Sequence, residues 1–211
     1  MSIKKTFFSF IVFVILFFFK SYSQQKEEYI LNDNFDRNRL GWMEEYTSSH
    51  STGIKEGFLY ILSKDTSKQR TSNGPQNVSF LWDLPDEYEI ISSITKLKGN
   101  AEAQYGIILT SSTLTYKFSF SASGLAELTE NDYNKDGEDV YLFSQKAKIN
   151  IGAGDSTIFK IAIAQRRYSF YINDEKIREG ELKARSWEGI RLFVTSGSGI
   201  KADYLRIKKS R

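Results

Sequence analysis

One run rich in oxygen-bearing side chains in this 211-residue sequence is Glu130-Asn131-Asp132-Tyr133-Asn134-Lys135-Asp136-Gly137. Asp132, Asn134 and Asp136 stand at alternate positions with Gly137 directly after them. That spacing matches the opening of a calcium loop, where alternate oxygens wrap the ion and glycine permits a sharp turn. The twelfth position holds Phe143 where such a loop needs a bidentate glutamate, and no flanking helices are readable, so an EF-hand is excluded. Two readings remain. One is a surface calcium site completed by Glu130, Glu138, Asp139 or backbone carbonyls; the other is a polar hairpin loop built from turn formers. The plain loop is the expected one, and no cofactor is required.

A second set of residues suits sugar chemistry. Aromatic faces stack on the apolar side of a pyranose, while guanidinium, amide and carboxylate groups bind its hydroxyls. Trp42, Tyr46 and His50 fall in a polar stretch between the first two strands, and Trp187 opens a strand beside Glu188 and Arg191. Trp42, Tyr46, His50, Trp187 and Arg191 are therefore the candidate ligand-binding residues. The competing reading places Trp42 over the end of the core, and puts Trp82, in phase with Val78 and Phe80, within it. With one histidine and no cysteine, histidine-built zinc sites and thiol chemistry lack ligands, and no catalytic residue is assigned.

The elements that must carry these residues are strands. From Tyr29 onward no 3.6-residue period is sustained, but short stretches alternate with period 2 between turn residues. The clearest is Leu114 to Ser121, where Leu114, Tyr116, Phe118 and Phe120 point one way and Thr115, Lys117, Ser119 and Ser121 the other, one face core and one face wet. Similar runs cover 58–62, 78–82, 88–97, 105–109, 125–128, 140–143, 158–163, 168–172, 190–194 and 200–207. Glu56-Gly57, Ser123-Gly124, Asp136-Gly137, Asn173-Asp174 and Gly197-Ser198 punctuate them as hairpin turns. The fold class expected is all-β, an antiparallel two-sheet β-sandwich in which residues 24–211 form one domain.

The first 23 residues read differently. Met1 to Lys5 is a basic start, Thr6 to Phe19 is an apolar run, and Ser21 and Ser23 place small residues where a signal peptidase reads. The run falls short of the roughly 20 residues a span needs, so a cleaved signal is expected and no membrane span after it. The segment takes away three of the 29 basic residues and no acid, leaving 26 against 26. A neutral mature chain lacks the electrostatics of a nucleic-acid binder. The destination expected is exported: periplasm, cell surface or medium. Without cysteine there is no disulfide framework and no lipidated N-terminus.

Asn32-Asp33-Asn34-Phe35 with Gly41-Trp42, then Gly53 to Tyr60, Tyr88-Glu89-Ile90, Tyr105-Gly106-Ile107, Tyr168 to Asn173 and Asp203 to Ile207 resemble the concanavalin A-like lectin/glucanase superfamily. The likeness is to its small secreted bacterial jelly rolls, which include domains named 3-keto-disaccharide hydrolase, and it spans about Tyr29 to Ile207. It implies a jelly roll whose first and last strands pair, and a carbohydrate or cell-envelope partner. It does not decide between binding and catalysis, since such folds host lectins, hydrolases and adhesive modules alike. Retaining glycanases of the superfamily carry E-x-D-x-x-E on one strand. The nearest text, Glu130-Asn131-Asp132-Tyr133-Asn134-Lys135, ends in lysine, and Glu87-Tyr88-Glu89 reads equally as a solvated edge. A binding module is the expectation, with a hydrolase or a structural envelope domain as alternatives.

Overall fold

The computed structural model describes residues 28–66, 70–135, 138–147 and 154–210; the signal-like segment 1–23 lies outside them. The strands are β1 (Tyr29–Asp33), β2 (Glu45–Tyr46), β3 (His50–Lys55), β4 (Phe58–Ser63), β5 (Arg70–Asn73), β6 (Glu87–Lys98), β7 (Gln104–Thr110), β8 (Leu114–Ser121), β9 (Leu125–Asp132), β10 (Asp139–Lys146), β11 (Ser156–Ala164), β12 (Arg167–Ile172), β13 (Glu175–Glu181), β14 (Gly189–Thr195) and β15 (Gly199–Lys209). They form two antiparallel sheets. The larger runs β13-β12-β11-β6-β15-β4-β3-β2, with β1 also paired to β15; the smaller runs β10-β9-β8-β7-β14-β5. No helix among the described residues is long and apolar enough to cross a membrane.

Period-2 alternation drives the packing. Tyr105, Tyr116, Phe118 and Phe120 face inward from the smaller sheet onto Phe159, Tyr168 and Phe170 of the larger. Phe118 meets Phe170 and Tyr168 edge-on, both at 5.5 Å between ring centres, and Tyr105 meets Phe159 at 5.7 Å. Such edge-to-face pairs add to the burial that holds the two sheets together. The tight turns follow their sequence signals. Glu56 and Gly57 (φ 53° and 75°) join β3 to β4, and Asn173 and Asp174 (φ 49° and 64°) join β12 to β13, the left-handed geometry that two-residue hairpins require. The terminal strands pair as the resemblance implied, Asp33 opposite Leu205.

Five elements differ from the expectation. Residues 78–82 are not a strand: Ser79–Asp83 is a 3-10 turn. Residues three apart eclipse in such a turn, so Val78, Leu81 and Leu84 pack on the core, while Trp82, expected inside, is 69% exposed. Phe80 packs on the core as well, so Trp82 is the apolar side chain of this segment that the turn sends outward. Strand β6, carrying Glu87 and Glu89, is no edge; it lies between β11 and β15, and Glu89 pairs with Lys208 at 3.2 Å. Strands β2, β3 and β5 had no apolar signature; β3 is His-Ser-Thr-Gly-Ile-Lys, and its buried members Ser51, Thr52 and Gly53 are small.

Candidate functional site

The outer face of the six-stranded sheet carries the main concentration of polar groups. Strand register lays them in rows. One row runs Arg191, Ile108, Lys117, Thr129, Tyr141 across β14, β7, β8, β9 and β10; the next runs Phe193, Gly106, Ser119, Glu127, Ser144. This face is not the wet surface that the alternation in β8 suggested. Thr115, Ser119, Ser121, Glu127 and Thr129 are buried although they point away from the core, and so are Ile108 and Phe193. A polar row shielded in this way lines a depression, here of about 150 Å³. Gly106 in the same row admits no side chain, since a methyl group there would come within 2.0 Å of the Phe118 carbonyl oxygen.

Charges of both signs meet in it. Lys117 donates to Asp139, which also accepts from Asn131 Nδ2 at 3.2 Å. Glu127 accepts from Ser144 Oγ at 2.7 Å through one oxygen and from Gln104 Nε2 through the other. Burial pulls the Lys117 ammonium below the ordinary lysine value, with the Arg70 charge acting in the same sense and the hydrogen bond to Asp139 opposing them. Thr129, opposite Lys117 in the register, is 7% exposed, and its Oγ1 meets no hydrogen-bond partner among the described residues. A buried hydroxyl left unsatisfied costs about 1–3 kcal/mol, so its place at the wall of a depression is informative. Tyr141, beside it on β10, is 62% exposed and offers a ring at the rim.

The ligand-binding residues named from the sequence do not converge. Trp42 and Trp187, expected as stacking platforms, are each 2% exposed. The Trp42 indole donates to Asp33 Oδ2 at 2.8 Å and meets Phe35 edge-on; that of Trp187 donates to Tyr88 Oη and packs against Tyr116. Both rings serve the core, because each indole N–H finds a buried acceptor there. Tyr46 is well exposed, but on β2 at the edge of the larger sheet. His50 is held in the β2–β3 turn, its Nδ1 3.1 Å from both Thr47 Oγ1 and Ser49 Oγ, and its Nε2 3.1 Å from Glu45. Arg191 alone lies on the polar face, three strands from Thr129.

In the acidic loop, Asp132 Oδ1 accepts the backbone N–H of Asn134 at 3.0 Å, a turn-stabilising bond, while Asp136 and Gly137 lie outside the described residues. Glu130 points inward and binds Lys183 and the Tyr116 hydroxyl. The expected result of adding calcium is an unchanged melting temperature; a rise that Asp132→Ala abolishes would establish a calcium site.

Lys117, Glu127, Thr129 and Asp139 were not singled out from the sequence as a site. The signal was present in Glu127-x-Thr129-x-Asn131, an alternating polar set on the strand that hairpins with Thr115-x-Lys117-x-Ser119. It was hidden because β9 was expected to end at Leu128.

No family model matches the chain, and no curated protein matches it by sequence. Solved structures match it in fold. A lichenase (β-1,3-1,4-glucanase) derived from a mouse hindgut metagenome superimposes with a TM-score of 0.61 at 8% identity, over 85% of this chain and 99% of that one. The CBM2 module of the evolved Dit of Lactobacillus casei BL23 phage J-1 gives 0.57 at 12% identity, over 87% and 96%. The carbohydrate-binding module CBM66 from Bacillus subtilis gives 0.50 at 15% identity, over 80% and 91%. At these identities the likeness is one of architecture.

Proposed function

Starting from a concanavalin A-like β-sandwich with a charge-balanced depression on its smaller sheet, we propose that the chain is an exported, non-catalytic carbohydrate-binding domain. Its ligand is a glycan or a glycosylated envelope surface, seated among Lys117, Glu127, Thr129, Asp139 and Tyr141. The observation that carries this reading is the Thr129 hydroxyl, which has no partner among the described residues and is buried between an ammonium, two carboxylates and an exposed aromatic ring. A sugar needs that combination, with donors and acceptors for its hydroxyls and a ring for its C–H face. The N-terminal run Thr6 to Phe19, with Lys4 and Lys5 before it, supports export. The solved modules described above as carbohydrate-binding have the same architecture.

A hydrolase of the 3-keto-disaccharide type would need two acids close together. Glu127 and Asp139 share the depression, but Asp139 registers with Asn131, four residues beyond Glu127 on β9. That sets the two backbone positions about 13 Å apart along the strand, with Lys117 between them. Each carboxylate is already held by donors, which suits binding.

The test is a glycan-array screen of the purified protein followed by two variants. Thr129→Val keeps the side-chain shape and removes one hydroxyl with no protein partner. It is expected to leave the melting temperature unchanged or slightly raised while weakening glycan affinity about five- to tenfold. Tyr141→Ala, at an exposed position, is expected to weaken it further. Binding indifferent to both variants would move the site elsewhere. Turnover of a keto-disaccharide glycoside that Glu127→Gln abolishes would replace the binding reading with an enzymatic one.

A further inference from the structure

A separate groove lies where the 3-10 turn, the β11–β12 turn and the β13–β14 connection meet, and it shares no residue with the depression on the smaller sheet. Trp82 stands at one end. It is the exposed tryptophan of the three, since Trp42 and Trp187 are buried. Asp86, Gln165 and Arg185 line both a recess of about 50 Å³ beside Trp82 and an adjoining space of about 320 Å³ that Arg166 completes, the latter within the size range of small-ligand sites.

The groove is built rather than incidental. Its floor is the buried Tyr88, whose hydroxyl accepts the indole N–H of Trp187. Its wall is pinned by the backbone N–H of Gln165, which donates to the Asp86 carbonyl at 2.6 Å. Gln165 itself is held at φ 57°, a conformation uncommon outside glycine, which fixes Arg166 beside it. Among the described residues Arg166, Arg185 and Asp86 form no ion pair within 4 Å, whereas Lys117, Lys160, Lys183, Lys208 and Lys209 all do.

We propose that this groove binds an acidic sugar residue, one that bears a single carboxylate, at the end of a glycan or within its chain. Two guanidinium forks match a carboxylate bidentately. The Trp82 face takes the apolar side of the ring, and Asp86 accepts from ring hydroxyls. Two arginines and one aspartate leave a single positive charge, which suits a singly charged sugar carboxylate better than a doubly charged phosphate monoester beside the Asp86 carboxylate. The inference is independent of the reading of the smaller sheet.

The test uses the purified protein and acrylamide quenching of tryptophan fluorescence, to which Trp82 is the exposed contributor, alongside calorimetric titration. Tetragalacturonate and sialyllactose distinguish an in-chain uronate from a terminal sialate, with fully methyl-esterified tetragalacturonate as the neutral control. The expected result is that one of the two acids protects Trp82 and the neutral control does not. Arg185→Gln is expected to lower that affinity at least about tenfold, and Trp82→Ala also lowers it. Both residues are exposed, so both variants keep the fold. Thr129→Val leaves this binding unchanged, which separates it from the other site. Silence with both acids, equal binding of the esterified form, or binding indifferent to Arg185→Gln and Trp82→Ala would overturn the proposal.

Discussion

Trp187→Ala is expected to lower the melting temperature by roughly 6–20 °C, the equivalent of about 3–5 kcal/mol for a buried tryptophan in a domain of this size. The ring is 2% exposed and meets Tyr116 edge-on at 5.8 Å, so truncation leaves a cavity between the sheets. It also strands the Tyr88 hydroxyl, which loses its indole donor. Differential scanning calorimetry of the variant beside the wild type reads the loss directly. An unchanged melting temperature with abolished glycan binding would contradict this placement and return Trp187 to a binding surface.

The same cluster sets an alkaline limit. Burial pushes the Tyr88 phenol up to about 12, against the opposing hydrogen bond from Trp187. Burial likewise raises Tyr116 to about 12, opposed by the Lys183 backbone N–H and reinforced by the Glu130 carboxylate. Tyr105 and Tyr168 shift in the same direction, again through burial. In the unfolded chain these phenols ionise near pH 10. A raised folded value stabilises fully below that pH, and the stabilisation is lost as pH rises through the folded value. Stability should therefore be independent of these groups up to about pH 10 and fall steeply between about 10 and 12. Tyrosinate absorbance followed together with unfolding checks this: Tyr88 and Tyr116 should ionise as the fold is lost. Ionisation of both near pH 10 with the fold intact would refute the buried cluster.

These effects bear on what the sequence made legible. Strands with large apolar residues at alternate positions, such as Leu114 to Ser121 and Tyr168 to Ile172, were readable because burial on one face imposes period 2. Turns that need left-handed backbone, Glu56-Gly57 and Asn173-Asp174, announced themselves through residue type. The site was not readable in the same way. Trp42 and Trp187 have the chemistry of a sugar platform, but burial is decided by what packs above a ring, and here Phe35 and Tyr116 do. Lys117 looked like a solvated outer position, because alternation tells inside from outside without telling an open face from a sheltered one, and Thr129 lay beyond the expected end of its strand. Trp82 went the opposite way: a 3-10 turn delivered to solvent a residue whose type favours the core.

The last strand in the chain has neighbours that are among the first. β15 pairs with β1, β4 and β6, and so fills the middle of the larger sheet rather than its border. Until residues 199–209 have been synthesised, β4 and β6 face each other across a gap that no other described strand fills. Their contacts close loops spanning most of the chain, so assembly has a high contact order and is slow. Nascent chains and C-terminal truncations ending before Gly199 are left with two open strand edges in the interior of the sheet, the kind of surface on which chains aggregate. The larger sheet becomes continuous when β15 arrives to join β4 to β6.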